Sequence, residues 1–429
     1  MTTTDDAAIT AAGGTHPLSL IPATVGNHGY DISALLKLTG NTTYDVGFAN
    51  TAGCRSAITF IDGDQGILRY RGYPIEQLAA QSTFLETAYL VLYGELPTSE
   101  QLQDFENRVR RHTLIDERLR ELFRAFPRRS HPMPVLAAAV TALSTFSKDT
   151  SVSDPEQIDL ATIRLIAKLP TLAAYGYKSS TGHPFLFPDN SLGYVENFLR
   201  LSFGYPTEPY EIDPRYVRAL DVLLILHADH EQNCSTSTVR MVGSARADVY
   251  ASIASGINAL SGPLHGGANQ QVVEMLQRIR DDGGDVGAFV RNVKDRKGGA
   301  RLMGFGHRIY KNYDPRAAII KRHADEILRG HHAQNELLDI AIQLEDVALH
   351  DPYFTERKLY PNVDFYTGLI YEAMGFPINM FTVLFAIGRL PGWLAQWREM
   401  ITDPESRIGR PRQIYVGETE RAYVPLAQR

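Results

Sequence analysis

The chain has 429 residues and a formal net charge of -6, with acidic and basic side chains interspersed along its length. No basic block marks a nucleic-acid or anionic-membrane surface, and only two cysteines, Cys54 and Cys234, are present, which excludes a disulfide framework for a chain this size. Those two are read as small buried thiols in a reducing, cytoplasmic setting, and the acidic, apolar-poor start reads as neither signal peptide nor transit peptide.

Residues 1–15 are small and polar and read as disordered. Residues 16–72 are rich in Thr, Gly, Asp and β-branched side chains. Within them the apolar runs 57–61 and 66–70, separated by Asp62-Gly63-Asp64-Gln65, predict a hairpin, in what should be the one β-rich part of the chain. From Pro74 onward the periodicity is helical. Thr98-x-x-Gln101 is a capping box. Pro134 opens an Ala-rich helix to about Phe146. The helix over 156–168 should break at Pro170. Pro214 opens a helix through Leu226, and further helices are expected over 245–259, 268–280, 317–329 and 335–349. Asn362 should cap a helix over 363–374, and a last long helix runs from about Asn379 to Met400 with a bend near Pro391-Gly392. The alternation of a doubly wound sheet is missing, so the body is predicted to be all-α.

Four stretches carry groups suited to chemistry. In His227-Ala-Asp-His230 the two imidazoles share a face if the helix continues. Zinc is an alternative there, but the spacing is not i, i+4 and no third ligand is evident. In Gly262-Pro-Leu-His265-Gly-Gly an imidazole sits among residues that let backbone approach a ligand closely. In Arg301–Arg316, Gly304 and Gly306 flank Phe305 ahead of His307, the cations Arg308, Lys311 and Arg316 follow, and Asp314-Pro315 reads as N-cap and first helical residue. That puts Arg316 in a helical first turn, a place suited to a carboxylate or phosphate. In Pro361–Tyr366, Asp364 falls in a first turn, where the helix dipole lowers a carboxyl pKa and apolar burial raises it. Arg389, Arg410 and Arg412 complete a set that fits a substrate with more than one carboxylate. No P-loop and no serine or cysteine nucleophile elbow is present.

Together these stretches closely resemble citrate synthase, over essentially residues 16–429. The segment from Gly304 to Arg316 fits that family's signature throughout, and the β-rich start resembles its bacterial long-chain branch. The resemblance implies a mainly α, two-domain helical fold with a small N-terminal β-rich segment. Residues 1–72 would be the disordered start and β-rich segment, and 73–274 the first part of a large helical domain. Residues 275–382 would be a small helical domain, and 383–429 the last part of the large domain with a C-terminal tail. It implies an acyltransferase of the tricarboxylic acid cycle that condenses acetyl-CoA with oxaloacetate and hydrolyses the thioester to citrate and CoA. Asp364 would be the base, His265 the donor to the thioester oxygen and His307 the donor to the ketone. His230, Arg316, Arg389 and Arg410, the last lent by a neighbouring subunit, would hold oxaloacetate. Met303, Gly304, Phe305, Gly306 and Lys311 would meet CoA.

No metal and no resident cofactor is expected. A homodimer is the minimum unit, with a hexamer also open. In NADH-inhibited relatives an effector site includes groups matched here by Arg111, His112, Thr113, Arg164 and Lys168, while Ser147 and Thr207 stand where those relatives have tyrosine and cysteine. The rival readings are a 2-methylcitrate synthase using propionyl-CoA, a non-catalytic CoA- or dicarboxylate-binding regulator, and a metal hydrolase built on His227 and His230.

Overall fold

The computed structural model describes residues 7–148, 150–307, 309–329 and 336–429. It is 55% helix and 7% strand, which makes the mainly α class plain. By contacts it divides into two compact units, one comprising the chain up to Arg55 with Ile408–Arg429, the other Ser56–Arg407.

In the first unit, β1 (Ala7–Ala11) pairs antiparallel with β2 (Gly14–Ile21), which pairs antiparallel with β3 (Gly29–Asp31). Disorder expected through residue 15 is therefore corrected for residues 7–15. Backbone hydrogen bonding across the β1–β2 register, from Ala7↔Leu18 to Ala11↔Gly14, orders a stretch whose side chains are too small to announce it. Residues 1–6 lie outside the described part. The tail from Ile408 is irregular up to a short 3-10 turn at Leu426–Gln428.

In the second unit, β4 (Thr59–Asp62) and β5 (Ile67–Tyr70) form the expected hairpin, and the two-residue β6 (Tyr73–Pro74) extends it. Helices make up the rest. The Thr98 box closes in both directions, and the Ala-rich helix spans Pro132–Leu143. Pro170 does not break its helix, which runs from Pro155 to Thr181. Proline removes the N–H that would bond the carbonyl of Ile166, but the Tyr194 hydroxyl donates to that carbonyl at 3.1 Å, so the acceptor is satisfied from the next helix. Burial raises the Tyr194 pKa and keeps it a donor.

The helix Phe381–Thr402 forms the centre of the unit and also contains a proline, Pro391. Its Gly392 N–H is turned out to the carbonyl of Ala228 at 3.0 Å, which ties it to the segment after the helix Pro214–His227. Trp393 and Trp397 are wholly enclosed, as fits two of the largest apolar side chains. The stretch Ile378–Thr402 is long and apolar enough to cross a membrane, yet 89% of its most apolar window is buried inside the fold, where it serves as core. The thiols are placed differently from expectation. Cys54 is half-buried and Cys234 is exposed, because Cys234 opens the helix Cys234–Gly243, whose buried side is carried by Ser235, Thr236 and Val239.

Candidate active site

The loop before Arg316 is built on backbone that glycine alone takes easily. Gly304 and Gly306 have φ of +77° and +72°, and a Cβ on Gly304 would stand 2.6 Å from Val272 and 3.0 Å from the Phe365 ring. With those turns made, the loop pairs with the chain ahead of Asp364. Gly306 N–H donates to the Tyr360 carbonyl (2.7 Å), Asn362 N–H to the Gly304 carbonyl (2.9 Å), and Asn362 Nδ2 to the Gly306 carbonyl (2.9 Å). Asn362 Oδ1 also accepts the N–H of Asp364 at 3.0 Å, the capping contact expected of it, and the helix runs Asp364–Ala373.

On its other side the loop is wedged by the β4–β5 turn. A Cβ on Gly63 would overlap the Ile309 carbonyl oxygen at 2.2 Å, one on Gly66 would sit 2.8 Å from that of Tyr313, and Lys311 N–H donates to the Gly63 carbonyl at 2.8 Å.

Asp314 caps the helix Pro315–Arg329 by accepting the Arg316 N–H at 3.0 Å. It also grips the same residue's guanidinium with both oxygens, at 3.0 Å from Nε and 2.9 Å from Nη2, and takes the Val363 N–H at 3.2 Å. Both side chains are buried, 4% exposed for Arg316 and 1% for Asp314, so this pair is screened little by water. Burial pushes each toward neutrality, but the partner outweighs it. Asp314 is held below the usual carboxylate range and Arg316 above the usual guanidinium range. The sequence showed Asp314 only as a cap; the ion pair needed the helix start to be folded.

The helix opened by Pro214 stops at His227, so it does not continue to His230 and the two imidazoles do not share a helix face. Tyr70 Oη donates to the carbonyls of Leu226 (3.3 Å) and Asp229 (3.1 Å), and Thr59 Oγ1 to Asp229 Oδ2 (2.6 Å), so the hairpin holds the turn that follows. The two histidines then diverge in role. His227 Nδ1 donates to the Leu223 carbonyl at 2.6 Å, and burial lowers its pKa to about 3, a neutral ring fixed in the packing. His230 lies 3.3 Å from the Tyr310 hydroxyl through Nε2, with its ring centroid 5.4 Å from that of His307. Burial, then Arg316, keeps His230 well below the usual histidine pKa. Among the described residues no three His, Cys, Asp or Glu side chains are placed to hold a metal ion.

The tautomers of two imidazoles follow from their neighbours. Backbone N–H groups of Ile309 (3.0 Å) and Tyr310 (3.3 Å) donate to His307 Nδ1, which leaves the proton on Nε2. The Ser235 N–H donates to His265 Nε2 at 3.2 Å, which leaves the proton on Nδ1. The Ser235 hydroxyl lies 2.8 Å from the same nitrogen and accepts from Trp393 Nε1 at 3.1 Å. Burial takes both rings down to about 4, with Arg389 adding to the effect at His265 and Arg316 at His307. Both are neutral donors at pH 7.

Arg389 is 2% exposed. Its Nε donates to the His227 carbonyl at 2.6 Å, its guanidinium lies 4.9 Å from the Phe385 ring centroid, and its Nη1 is buried with no hydrogen-bond partner among the described residues. Burial lowers its pKa to about 10. Asp364 is half-buried, and desolvation raises its pKa to about 6 while Arg316 and Arg389 pull it back. Arg389 acts electrostatically on His230, His265 and Asp364, and Arg316 on His230, His307 and Asp364. The four groups expected to work together therefore share one pair of guanidinium fields.

Of the CoA contacts suggested by sequence, Phe305 turns its ring into the core against Phe365 (centroids 4.4 Å apart), which leaves backbone as what Gly304–Gly306 can offer a ligand. Met303 is half-buried, with its N–H on the Met275 sulfur at 3.3 Å, and Lys311 is exposed. Arg308 lies outside the described residues. Arg410 is exposed in the C-terminal tail.

The Arg111–Thr113 stretch ends the helix Ser99–Arg110. Lys168 reaches it, its ammonium bonding the carbonyls of His112 (2.7 Å) and Leu114, while Thr171 Oγ1 donates to the Thr113 carbonyl at 3.0 Å. Burial and then Arg164 lower Lys168 to about 8.

The family profile described as "Citrate synthase, C-terminal domain" matches residues 47–412. "Citrate synthase 1" of Mycobacterium tuberculosis is 62% identical over 428 residues, covering 100% of this chain and 99% of its own. The chain belongs to the citrate synthase family. The Corynebacterium glutamicum citrate synthase is 58% identical over 419 residues, 97% of this chain and 96% of that one. The crystal structure of the Pyrobaculum aerophilum citrate synthase superposes with a TM-score of 0.83 at 40% identity, covering 89% of this chain and 95% of that one. That of the Thermoplasma acidophilum enzyme, a ternary complex with carboxymethyl coenzyme A and oxaloacetate, gives 0.82 at 33%, covering 89% and 98%. The enzyme described here is thus an acyltransferase with citrate synthase activity, and none of these relatives points to the propionyl-CoA reading.

Proposed function

We propose that this citrate synthase works through Asp364, His265 and His307 on acetyl-CoA and oxaloacetate held by His230, Arg316, Arg389 and, from a second subunit, Arg410. Asp364 takes a proton from the acetyl methyl while His265 Nδ1–H donates to the thioester oxygen, so the enol forms without a free enolate charge. The enol carbon attacks the oxaloacetate ketone, a carbon–carbon bond forms, and His307 Nε2–H gives its proton to the new alkoxide. Water then cleaves the thioester to citrate and CoA. Guanidinium forks suit the two carboxylates and fix the ketone for attack. Lys311 and the backbone of Met303–Gly306 contact CoA, and closure of a small domain, 275–382, on a large one shields the enol from water.

The observation that carries this reading is the pairing of a carboxyl raised to about 6 with two imidazoles whose tautomers are fixed and which stay neutral at pH 7. Asp364→Asn should abolish thiol release from acetyl-CoA while leaving oxaloacetate binding, measured by calorimetry, close to that of the parent. Parental turnover in that variant would remove the base from the scheme.

A homodimer is supported by the tail that carries Arg410, where Tyr415, Val416, Tyr423 and Leu426 stand 70–90% exposed in the single chain and a second copy would cover them. A cytoplasmic setting fits a chain of this length with only two cysteines, Cys54 and Cys234. Control by an anionic effector at Arg111, His112, Thr113, Arg164 and Lys168 is supported by the like charges of Arg164 and Lys168. Thiol release with and without added NADH tests it, and an unchanged rate would remove it.

A further inference from the structure

Glu345 is a buried acid that the proposed reaction does not use. It lies on the helix Glu336–His350 with its side chain 3% exposed, and both of its oxygens are engaged. Oε1 accepts the Tyr313 hydroxyl at 3.3 Å; Oε2 accepts the Tyr366 hydroxyl at 2.7 Å and pairs with the Lys321 ammonium. Tyr313 immediately precedes Asp314, which caps the helix of Arg316 and binds its guanidinium. Tyr366 follows Asp364 by two positions in the first turn of its helix. One carboxylate therefore joins the segment that carries the anion-binding arginine to the helix that carries the base. Asp314 also meets that helix start directly, through Val363 N–H to Oδ2 at 3.2 Å, and the Gly304–Gly306 turn meets it through Tyr360 and Asn362.

A buried acid is a poor source of stability. Well-packed apolar residues at such positions are often neutral or better, whereas a fully satisfied polar network fixes geometry. Burial and the adjacent carboxylate both hold the two phenols protonated, so each can only donate toward Glu345. The geometry of the network is set by three bonds, from Tyr313, Tyr366 and Lys321, converging on two oxygens.

We infer that Glu345 is a positioning residue, which through Tyr366 and Tyr313 sets the place of Asp364 relative to the Arg316 segment. The inference rests on Asp364 acting as the base. Oxaloacetate binding depends on Arg316, which Asp314 holds by itself, so loosening the Glu345 node should displace the base more than the anion site. A displacement of about 1 Å at a reacting group costs up to about a hundredfold in rate.

The test is steady-state kinetics and oxaloacetate calorimetry on Glu345→Gln and Tyr366→Phe. The expected result is a fall in kcat of about tenfold to a hundredfold in both, with the oxaloacetate Kd near the parental value. Parental kcat in either folded variant overturns the inference, as does an oxaloacetate Kd that weakens in proportion to kcat, since that is what general loosening would give. Should Glu345→Gln fail to fold, Tyr366→Phe, which removes one hydroxyl and keeps the ring, decides alone. Asp364→Asn run alongside separates the two claims. Inactive Asp364→Asn with parental Tyr366→Phe defeats the role of Glu345 only, while active Asp364→Asn defeats the base assignment beneath it.

Discussion

Lowering the pH from 8 to 5 should cut activity through Asp364 before His265 or His307 titrates. Desolvation lifts that carboxyl to about 6, against the pull of Arg316 and Arg389, whereas His265 and His307 titrate near 4. The base is needed ionised, so activity is full above the raised pKa and lost below it. At pH 8 about 99% of Asp364 is carboxylate, and at pH 5 about a tenth is, so kcat/KM for acetyl-CoA should fall roughly tenfold with a midpoint near 6. The assay is thiol release at saturating oxaloacetate and subsaturating acetyl-CoA across that range. Circular dichroism at each pH confirms that the chain stays folded. A profile flat down to pH 5, or a midpoint near 4, would mean that Asp364 is not the titrating base, and the proton-transfer scheme would fail with it.

Asp314→Asn keeps a capping oxygen but leaves the buried Arg316 charge unpaired, a loss of about 3–5 kcal/mol, read as a lower denaturant midpoint together with a raised KM for oxaloacetate. Because the folded pKa of Asp314 lies below its unfolded value, its contribution is present above about pH 4 and is lost as pH falls through the depressed folded value. The variant should flatten that part of the stability profile. Tyr194→Phe strips the Ile166 carbonyl of its donor and should cost about 1–3 kcal/mol, and adding Pro170→Ala, which restores a backbone N–H, should recover part of it. Acetyl-CoA should be preferred over propionyl-CoA in kcat/KM, though one methylene is worth only about 1–3 kcal/mol, so weak propionyl turnover is expected.

What could be read from the sequence was what local rules govern. Asp314-Pro315-Arg316 announced a capped helix because cap, proline and first turn are adjacent in the chain, and the 57–70 hairpin announced itself by two apolar runs around a turn. The residues at 265, 307 and 364 stood out as candidates by type, and the roles proposed for them as donors and base came with the family resemblance. Features that depend on distant partners were not. The strands at 7–21 are held by main-chain pairing between small side chains, and Pro170 is tolerated only because a hydroxyl 24 positions later reaches back to Ile166. The orientation of His265 depends on the Ser235 amide, and that of His230 on a turn braced by Thr59 and Tyr70. Nothing local marked Glu345, whose partners come from two other helices and a loop.

The turn at Gly63 and Gly66 has a bearing on how this enzyme tolerates change. Those two positions lack side chains because main chain from Ile309 and Tyr313 occupies the volume. A methyl group placed there would push on the very stretch of chain that presents His307. A change near the start of the protein therefore presses directly on the segment that carries His307, far along the chain.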